Sequence, residues 1–332
     1  MKAVGYYKSL PIEDPESLLD LESAEPAASG RDLLVKVAAV SVNPIDTKVR
    51  RRAAGEPGKP RILGWDAAGT VEAAGPQCRF FKPGDRVWYA GSVKRPGSNA
   101  ELQLVDERVV GAMPRSLSFA QAAALPLTTL TAWEMLFDRF AIRPGKPAHA
   151  GAILIIGGGG GVGSIAIQLA RRLTGLAVIA TASRPETRDW CLALGAHHVI
   201  DHGKPLGSQL AAIGHPSPGY VFSIAATDPY LPQIAELIAP QGKFGLIDDP
   251  KSLDALAFKG KSVSIHWESM FTRAIFETPD MEAQHAILEE AARLVDDGLV
   301  RTTLAAPMGA INAANLRKAH ALVESGRSRG KI

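Results

Sequence analysis

Gly158, Gly160 and Gly163 stand at the spacing G-x-G-x-x-G, the first two inside a run of five glycines, 157–161, that Val162 and Gly163 follow. The chemistry this spacing serves is the binding of a pyrophosphate. The first glycine allows a tight turn. The second lets the phosphates reach the backbone where a side chain would block them. The third lets a helix pack closely on the strand before it. The N–H groups of the first helical turn, those of Gly161 and Val162 among them, then face the phosphates with the positive end of the helix dipole. In an NAD site an Asp or Glu about 20 residues further on accepts hydrogen bonds from the ribose 2′-OH. Ala182 and Ser183 stand there instead, followed by Arg184. Ser183 can hydrogen-bond a 2′-phosphate, Arg184 can pair with it in bidentate fashion, and a carboxylate would repel it. These residues select NADP. Glu186, two positions on, complicates the reading, and an ordinary surface arginine is the plainer account of Arg184.

Such a turn needs a strand before it and a helix after it. Residues 153–156 (Ile-Leu-Ile-Ile) form a buried strand, and Val162, Ile165, Ala166, Leu169, Ala170 and Leu173 fall on one face of a helix that ends at Arg171 and Arg172. Further apolar strands are expected at 178–182, 198–200, 220–225, 243–247 and 262–266, with helical segments between several of them. Six such strands imply βαβ units and a parallel sheet covered on both faces, the doubly wound α/β dinucleotide fold. The first third differs. Strand-like runs at 33–40, 68–73, 85–89 and 100–105 alternate with Pro-Gly turns, as in a β barrel or sandwich. A helical stretch at 118–140 carries Ser118 as its N-cap and is interrupted by Pro126. Residues 282–296 and 313–325 read as helices.

The totals narrow the class. A chain of 332 residues with 46% hydrophobic content can bury a sizeable core, and a net charge of +3 with dispersed basic residues gives no reason to expect nucleic acid. The one basic cluster, residues 48–52 with Arg61, reads as a solvated loop. With only two cysteines, Cys78 and Cys191, no disulfide framework is expected, which fits a reducing cytosol. No basic segment followed by an apolar stretch opens the chain, and no apolar run reaches about 18 residues, so no membrane association is expected. The expected location is cytoplasmic.

The motif order resembles that of the medium-chain dehydrogenase/reductase superfamily across nearly the whole chain. The residues that carry the resemblance are Lys82-Pro83-Gly84-Asp85-Arg86-Val87, the glycine turn, the run from Leu194 to Asp201 and Gly242-Lys243-Phe244. Within it the chain looks most like the quinone oxidoreductase branch, and more closely the group called zinc-type alcohol dehydrogenase-like proteins. The resemblance implies a GroES-like β domain at 1–125, an NADP-binding Rossmann domain at 126–266 and a segment at 267–332 returning to the first domain, with a homodimer as the assembly. Zinc-dependent members hold the catalytic metal with Cys, His and Cys. The matching positions here are Asn43, Trp65 and Leu127, none a good zinc ligand. The four cysteines of the structural zinc have no counterpart. No metal is therefore expected. The resemblance also places His202 near the adenosine phosphate and Thr131 against the nicotinamide.

Without a Lewis acid, alcohol oxidation lacks its usual means of forming an alkoxide. Hydride transfer to a quinone or an α,β-unsaturated ketone needs only a donor for the charge that develops on oxygen. Asn43 is the candidate donor, although Asn before Pro is also a common turn residue. Asp46 is a candidate acid, or a structural acceptor. Trp65, Trp267, Met270 and Phe271 are candidates to line an apolar pocket, with core packing as the default for each aromatic. The expected activity is metal-independent, NADPH-dependent reduction of a small quinone or enone. The alternatives are a zinc-dependent alcohol dehydrogenase and an NADPH-binding structural or regulatory protein with little turnover.

Overall fold

Residues 1–130 and 271–332 form one compact unit in the computed structural model, which describes residues 1–145 and 151–332. Its strands are β1 (Lys2–Tyr6), β2 (Leu19–Glu22), β3 (Asp32–Ser41), β4 (Arg61–Ile62), β5 (Asp66–Ala74), β6 (Arg86–Tyr89), β7 (Leu102–Asp106) and β8 (Val110–Ala112). They build two antiparallel sheets, β2-β1-β4 and β7-β3-β5-β6-β8. The five-stranded sheet packs Leu33, Val35, Ala67, Val71, Val87, Tyr89, Val105 and Val110 into a core. Its longest ladder pairs β3 with β5, and two register shifts bend it between Leu34/Val35 and Val37/Ala39. The ladder ends with Ser41 opposite Asp66. That register brings the residues after β3 to the start of β5, where the site of this unit lies.

Helix α1 (Pro44–Arg52) follows β3 directly. Pro44 suits a first helical position because its fixed φ is already helical and its missing N–H has no intrahelical use there. The expected basic loop at 48–52 is the second half of this helix. Arg50 is fully buried, pairs with Glu324 at 2.5 Å and donates to the Leu10 carbonyl. The pattern of three arginines suggested solvent because sequence alone did not reveal that Glu324 would meet one of them. Ser118 caps α2 (Phe119–Ala123) as expected: its hydroxyl accepts from the Gln121 N–H, and the Gln121 side chain accepts from the Ser118 N–H. Pro126 opens α3 (Pro126–Trp133), which runs on into a π-type segment, Glu134–Arg139.

Residues 131–270 form the second unit. Its strands are β9 (Ala152–Ile156), β10 (Ala177–Thr181), β11 (His198–Ile200), β12 (Tyr220–Ser223), β13 (Lys243–Leu246) and β14 (Ser264–Trp267). All six are parallel, in the order β11-β10-β9-β12-β13-β14. Helices α4 (Gly161–Leu173), α5 (Pro185–Leu194), α6 (Leu206–Ala212), α7 (Leu231–Leu237) and α8 (Leu256–Lys259) connect them. Every residue of β9 is buried, the apolar run that two covered faces demand. The chain winds outward from β9 in both directions, so the strand order reverses between β9 and β12. A ligand crevice in such a sheet lies outside the carboxyl ends of the strands at that reversal. Strand β14 starts two residues later than expected, because Ser262 sits at φ 53, a left-handed turn conformation that no strand includes. The chain then returns to the first unit as α9 (Thr272–Phe276), α10 (Ala283–Asp296) and α11 (Ala313–Glu324).

Candidate functional site

The glycine turn sits where the sheet topology puts a ligand. Gly157 takes φ 90 at the end of β9, and its N–H donates to the Thr181 hydroxyl at 3.1 Å, while the Gly158 N–H donates to the Thr181 carbonyl at 3.2 Å. These bonds bind the turn to the end of β10. The three spaced glycines have separate reasons. A Cβ on Gly158 would lie 2.7 Å from that of Ala180, and one on Gly163 would lie 2.4 Å from the Gly157 carbonyl. One on Gly160 would meet nothing closer than 3.6 Å. Gly158 and Gly163 are therefore demanded by the fold, whereas the open face at Gly160 is left for something outside the chain. Gly160 is the N-cap of α4 and offers no side-chain cap, so the first N–H groups of the helix, from Gly161 onward, lack intrahelical partners. A pyrophosphate fits this cradle.

Ser183 is exposed, just beyond β10, and Arg184 is the N-cap residue of α5. The Arg184 guanidinium pairs with Glu186 at 3.4 Å, both side chains being partly in solvent. His202 packs edge-on to Tyr230 at 6.5 Å and borders an open cavity of about 760 Å³ with Lys204, Ser208, Ser217, Tyr230 and Gln233. Neither the glycine turn nor Ser183 and Arg184 line that cavity. Thr131 and Met270 are buried, whereas Trp267 is 52% exposed on β14. One feature here carried no sequence signal. After β12, Ala226 adopts φ 52, and Thr227 is clamped by Asp248, whose carboxylate accepts from its N–H at 2.8 Å and from its hydroxyl. Ser223 completes the chain at 2.8 Å from the Thr227 hydroxyl. A strained residue held by buried hydrogen bonds beside the reversal point marks a loop with a required shape.

The first unit holds a second set. Asn43 is 2% exposed, Asp46 1%, Asp66 0% and Lys331 3%. Asp46 closes the start of α1: one carboxylate oxygen accepts from the Asn43 N–H at 2.7 Å, the other from the Gly64 N–H at 3.1 Å. Gly64 takes φ 98, and a Cβ there would strike the Asn99 side chain at 2.6 Å, so only glycine delivers Trp65 and Asp66 to this place. The Asn43 amide donates to Asp66 at 3.1 Å and to the Ser41 carbonyl at 3.4 Å. Asp66 also accepts from the Leu127 N–H at 3.0 Å. The Lys331 ammonium lies among three oxygens: Asn43 Oδ1 at 2.5 Å, Asp66 Oδ2 at 3.0 Å and the Val42 carbonyl at 3.1 Å. Three N–H donors thus meet three acceptors. Burial pushes the Asp46 carboxyl up to about 7, against the pull of the Asn43 N–H and Lys331, and raises Asp66 against the pull of Lys331.

This arrangement joins Asn43 and Asp46 but gives their polar atoms work inside the protein. The amide hydrogens of Asn43 already have acceptors, and both Asp46 oxygens are occupied by backbone donors. Trp65 stacks edge-on against Phe271 at 6.2 Å, so two of the four proposed lining residues meet. The Trp65 indole N–H is buried and has no hydrogen-bond partner among the described residues. Sequence reading passed over Lys331 and Asp66. The set does not fit zinc. Asn43, Trp65 and Leu127 offer neither thiolate nor imidazole, and an ammonium already occupies the oxygens nearby. Among the described residues no cluster of three or more His, Cys, Asp or Glu side chains is placed to hold a metal.

Residues 29–131 match the alcohol dehydrogenase GroES-like domain, and residues 161–283 match the zinc-binding dehydrogenase family. A zinc-type alcohol dehydrogenase-like protein of Staphylococcus aureus is 42% identical over 100% of this chain and 99% of its own length. A 2-methylene-furan-3-one reductase of Solanum lycopersicum is 38% identical over 61% of this chain and 53% of its own. A quinone oxidoreductase of Mus musculus is 36% identical over 57% and 55%. A crystal structure from Rhizobium etli, described as that of a candidate zinc-dependent alcohol dehydrogenase, is 58% identical over 100% of this chain and 97% of its own, with a TM-score of 0.96.

Proposed function

The chain belongs to the medium-chain dehydrogenase/reductase superfamily, and from that premise we propose that it is an NADPH-dependent oxidoreductase that reduces quinones or α,β-unsaturated carbonyl compounds without a metal. The observation that carries the metal-free part is the donor set at Asn43, Trp65 and Leu127, which suits no zinc ion. The reductase and quinone oxidoreductase similarities support the substrate class.

A bound NADPH supplies the hydride. The glycine turn and the first N–H groups of α4 hold its pyrophosphate, and the gap over Gly160 admits it. Ser183 and Arg184 take the 2′-phosphate, His202 contacts the adenosine side and Thr131 packs on the nicotinamide. In the first unit Asn43 and Trp65 supply amide and indole N–H groups of the kind that stabilise charge on a carbonyl oxygen. The indole N–H has no partner among the described residues and is the stronger candidate to donate directly. Asn43 gives up an internal bond if it does so. Asp46 holds the start of α1 in place and so orients Asn43. Trp65, Phe271 and Met270 provide apolar surface. The protein is proposed to act as a cytoplasmic homodimer. No helix among the described residues is long and apolar enough to cross a membrane.

Steady-state NADPH oxidation with a panel of quinones and enones, set against alcohol oxidation with NADP, tests this reading. Turnover with conjugated acceptors is expected and turnover with simple primary alcohols is not. Alcohol oxidation that disappears with bound zinc on chelation would replace it with the zinc-dependent reading.

A further inference from the structure

We propose that the Lys331 ammonium is the resident cation of the first unit's site, a positioning residue that holds Asn43 and Asp66 where zinc-dependent members of the superfamily place a metal. The argument begins with charge. Asp66 is completely buried, and burial of a carboxylate without a partner is costly. Lys331 is the only cation for which a contact with Asp66 is seen among the described residues, at 3.0 Å. The same nitrogen reaches Asn43 Oδ1 and the Val42 carbonyl, so its three N–H groups are fully engaged. A second cation at Asp66 would have to compete with this ammonium for the same oxygen and would meet its positive charge.

The surrounding backbone fixes the lysine. Its N–H donates to the Thr303 carbonyl at 2.8 Å, and its own carbonyl accepts from the Ala305 N–H at 2.9 Å. The Ile332 carbonyl accepts from the Ser41 hydroxyl at 2.5 Å and from the Val42 N–H at 3.2 Å. Residues 331 and 332 are thus zipped on both sides, one side being the chain that leads into Asn43. Two of the three positions that match metal ligands are linked to the lysine. Asn43 bonds it directly, and the N–H of Leu127 holds the other oxygen of Asp66. A lysine delivered from a distant part of the chain therefore organises Asn43 directly and, through Asp66, the Leu127 N–H.

The site's geometry then depends on that charge for more than folding. Without it Asn43 Oδ1 loses its donor, the amide is free to turn over, and its N–H groups lose their direction. The test compares wild type with Lys331→Met and with the double variant Lys331→Met/Asp66→Asn, in which both charges of the ion pair are removed and Asp66 is no longer a buried carboxylate without its cation. Lys331→Met should melt at lower temperature and lose about tenfold or more in kcat for NADPH-driven enone reduction, with NADPH affinity in titration little changed. The double variant should regain most of the melting temperature and little of the kcat. Recovery of kcat together with stability would show a purely structural ion pair and overturn the proposal. An independent arm uses wild type alone: incubated with zinc and desalted, it should retain well under one zinc per chain by elemental analysis. Retention of one zinc that Asp66→Asn abolishes would also overturn it. The kinetic arm rests on the reductase reading, whereas the melting and zinc arms do not, so failure of that reading leaves them interpretable.

Discussion

The proposed choice of NADPH turns on two residues, Arg184 and Glu186. Arg184 is the residue assigned to the 2′-phosphate, yet it pairs with Glu186 at 3.4 Å. That exposed pair contributes little on its own, about 0–1 kcal/mol. A charge-assisted bond to phosphate is worth about 1.5–3 kcal/mol, so the guanidinium can exchange one partner for the other. Arg184→Ala should weaken NADPH about tenfold or more while leaving NADH little changed. Glu186→Gln should tighten NADPH a few-fold by removing the competing carboxylate. Fluorescence titration of both cofactors checks both, and equal losses for NADPH and NADH in Arg184→Ala would remove the assignment. A second residue-scale prediction concerns acid. His320 is fully buried in α11, neither ring nitrogen has a hydrogen-bond partner among the described residues, and burial, then Arg50, press its pKa from 6.5 down to about 3. The unfolded chain binds a proton below pH 6.5 that the folded chain refuses. The stability associated with the neutral ring is complete above pH 6.5 and is lost as pH falls toward 3, by up to about 1.4 kcal/mol per pH unit. His320→Leu should flatten the melting temperature between pH 4 and 6.5. An unchanged pH slope would show that other groups set it.

At the scale of elements, the glycine turn separates what the fold needs from what the ligand needs. Gly163→Ala forces a methyl group to 2.4 Å from the Gly157 carbonyl, a backbone atom that cannot step aside. It should cost about 1–3 kcal/mol of stability and lower cofactor affinity with it. Gly160→Ala has room in the protein and a φ of −80 that alanine accepts. It should melt like wild type and bind NADPH at least about tenfold more weakly, because only the approaching phosphate meets the new methyl. Calorimetry beside titration checks the pair, and a Gly160→Ala protein with normal affinity would move the pyrophosphate elsewhere. This element was legible from sequence because strand, turn and helix each leave a local pattern within some 20 residues. All six parallel strands were legible for the same reason. Helix α1 was not: its apolar content is too low to show a face, and its buried Arg50 reads as solvent-facing until Glu324 is beside it. Strands β1, β2 and β4 also went unseen, since they are short and their pairing partners lie far along the chain. The Lys331 site was the least legible, because Asn43, Asp66 and Lys331 are joined only by the β3–β5 register and by the return of the last residues. The clamp of Thr227 by Asp248 likewise joins loops after two different strands, 21 residues apart in sequence.

The whole molecule carries its chemistry on two units, each preorganised by its own hydrogen bonds. Unit two supplies a cradle that no side chain fills. Unit one supplies a polar cluster centred on the Lys331–Asp66 pair and, beside it in sequence, the Trp65 indole N–H, one of two buried indole N–H groups without a partner among the described residues, the other being that of Trp88. Trp267, 52% exposed on the edge strand β14, serves the first-proposed pocket poorly and suits an unpaired sheet edge that a second copy can cover. Trp267→Lys should therefore shift the proposed homodimer toward monomer in sedimentation without lowering the melting temperature. A wild type that sediments as a monomer at all concentrations would remove the dimer. The central claim is that hydride passes from NADPH to a conjugated acceptor with no metal taking part, and isotope transfer tests it most directly. Chelator-treated protein is given NADPH deuterated at the reactive carbon and a defined enone, and the product is analysed by mass spectrometry and NMR. The account predicts one deuterium at the carbon β to the carbonyl, at a rate that chelation leaves unchanged. Deuterium absent from the enone and from every quinone offered, alongside alcohol oxidation that returns only when zinc is restored, would contradict it.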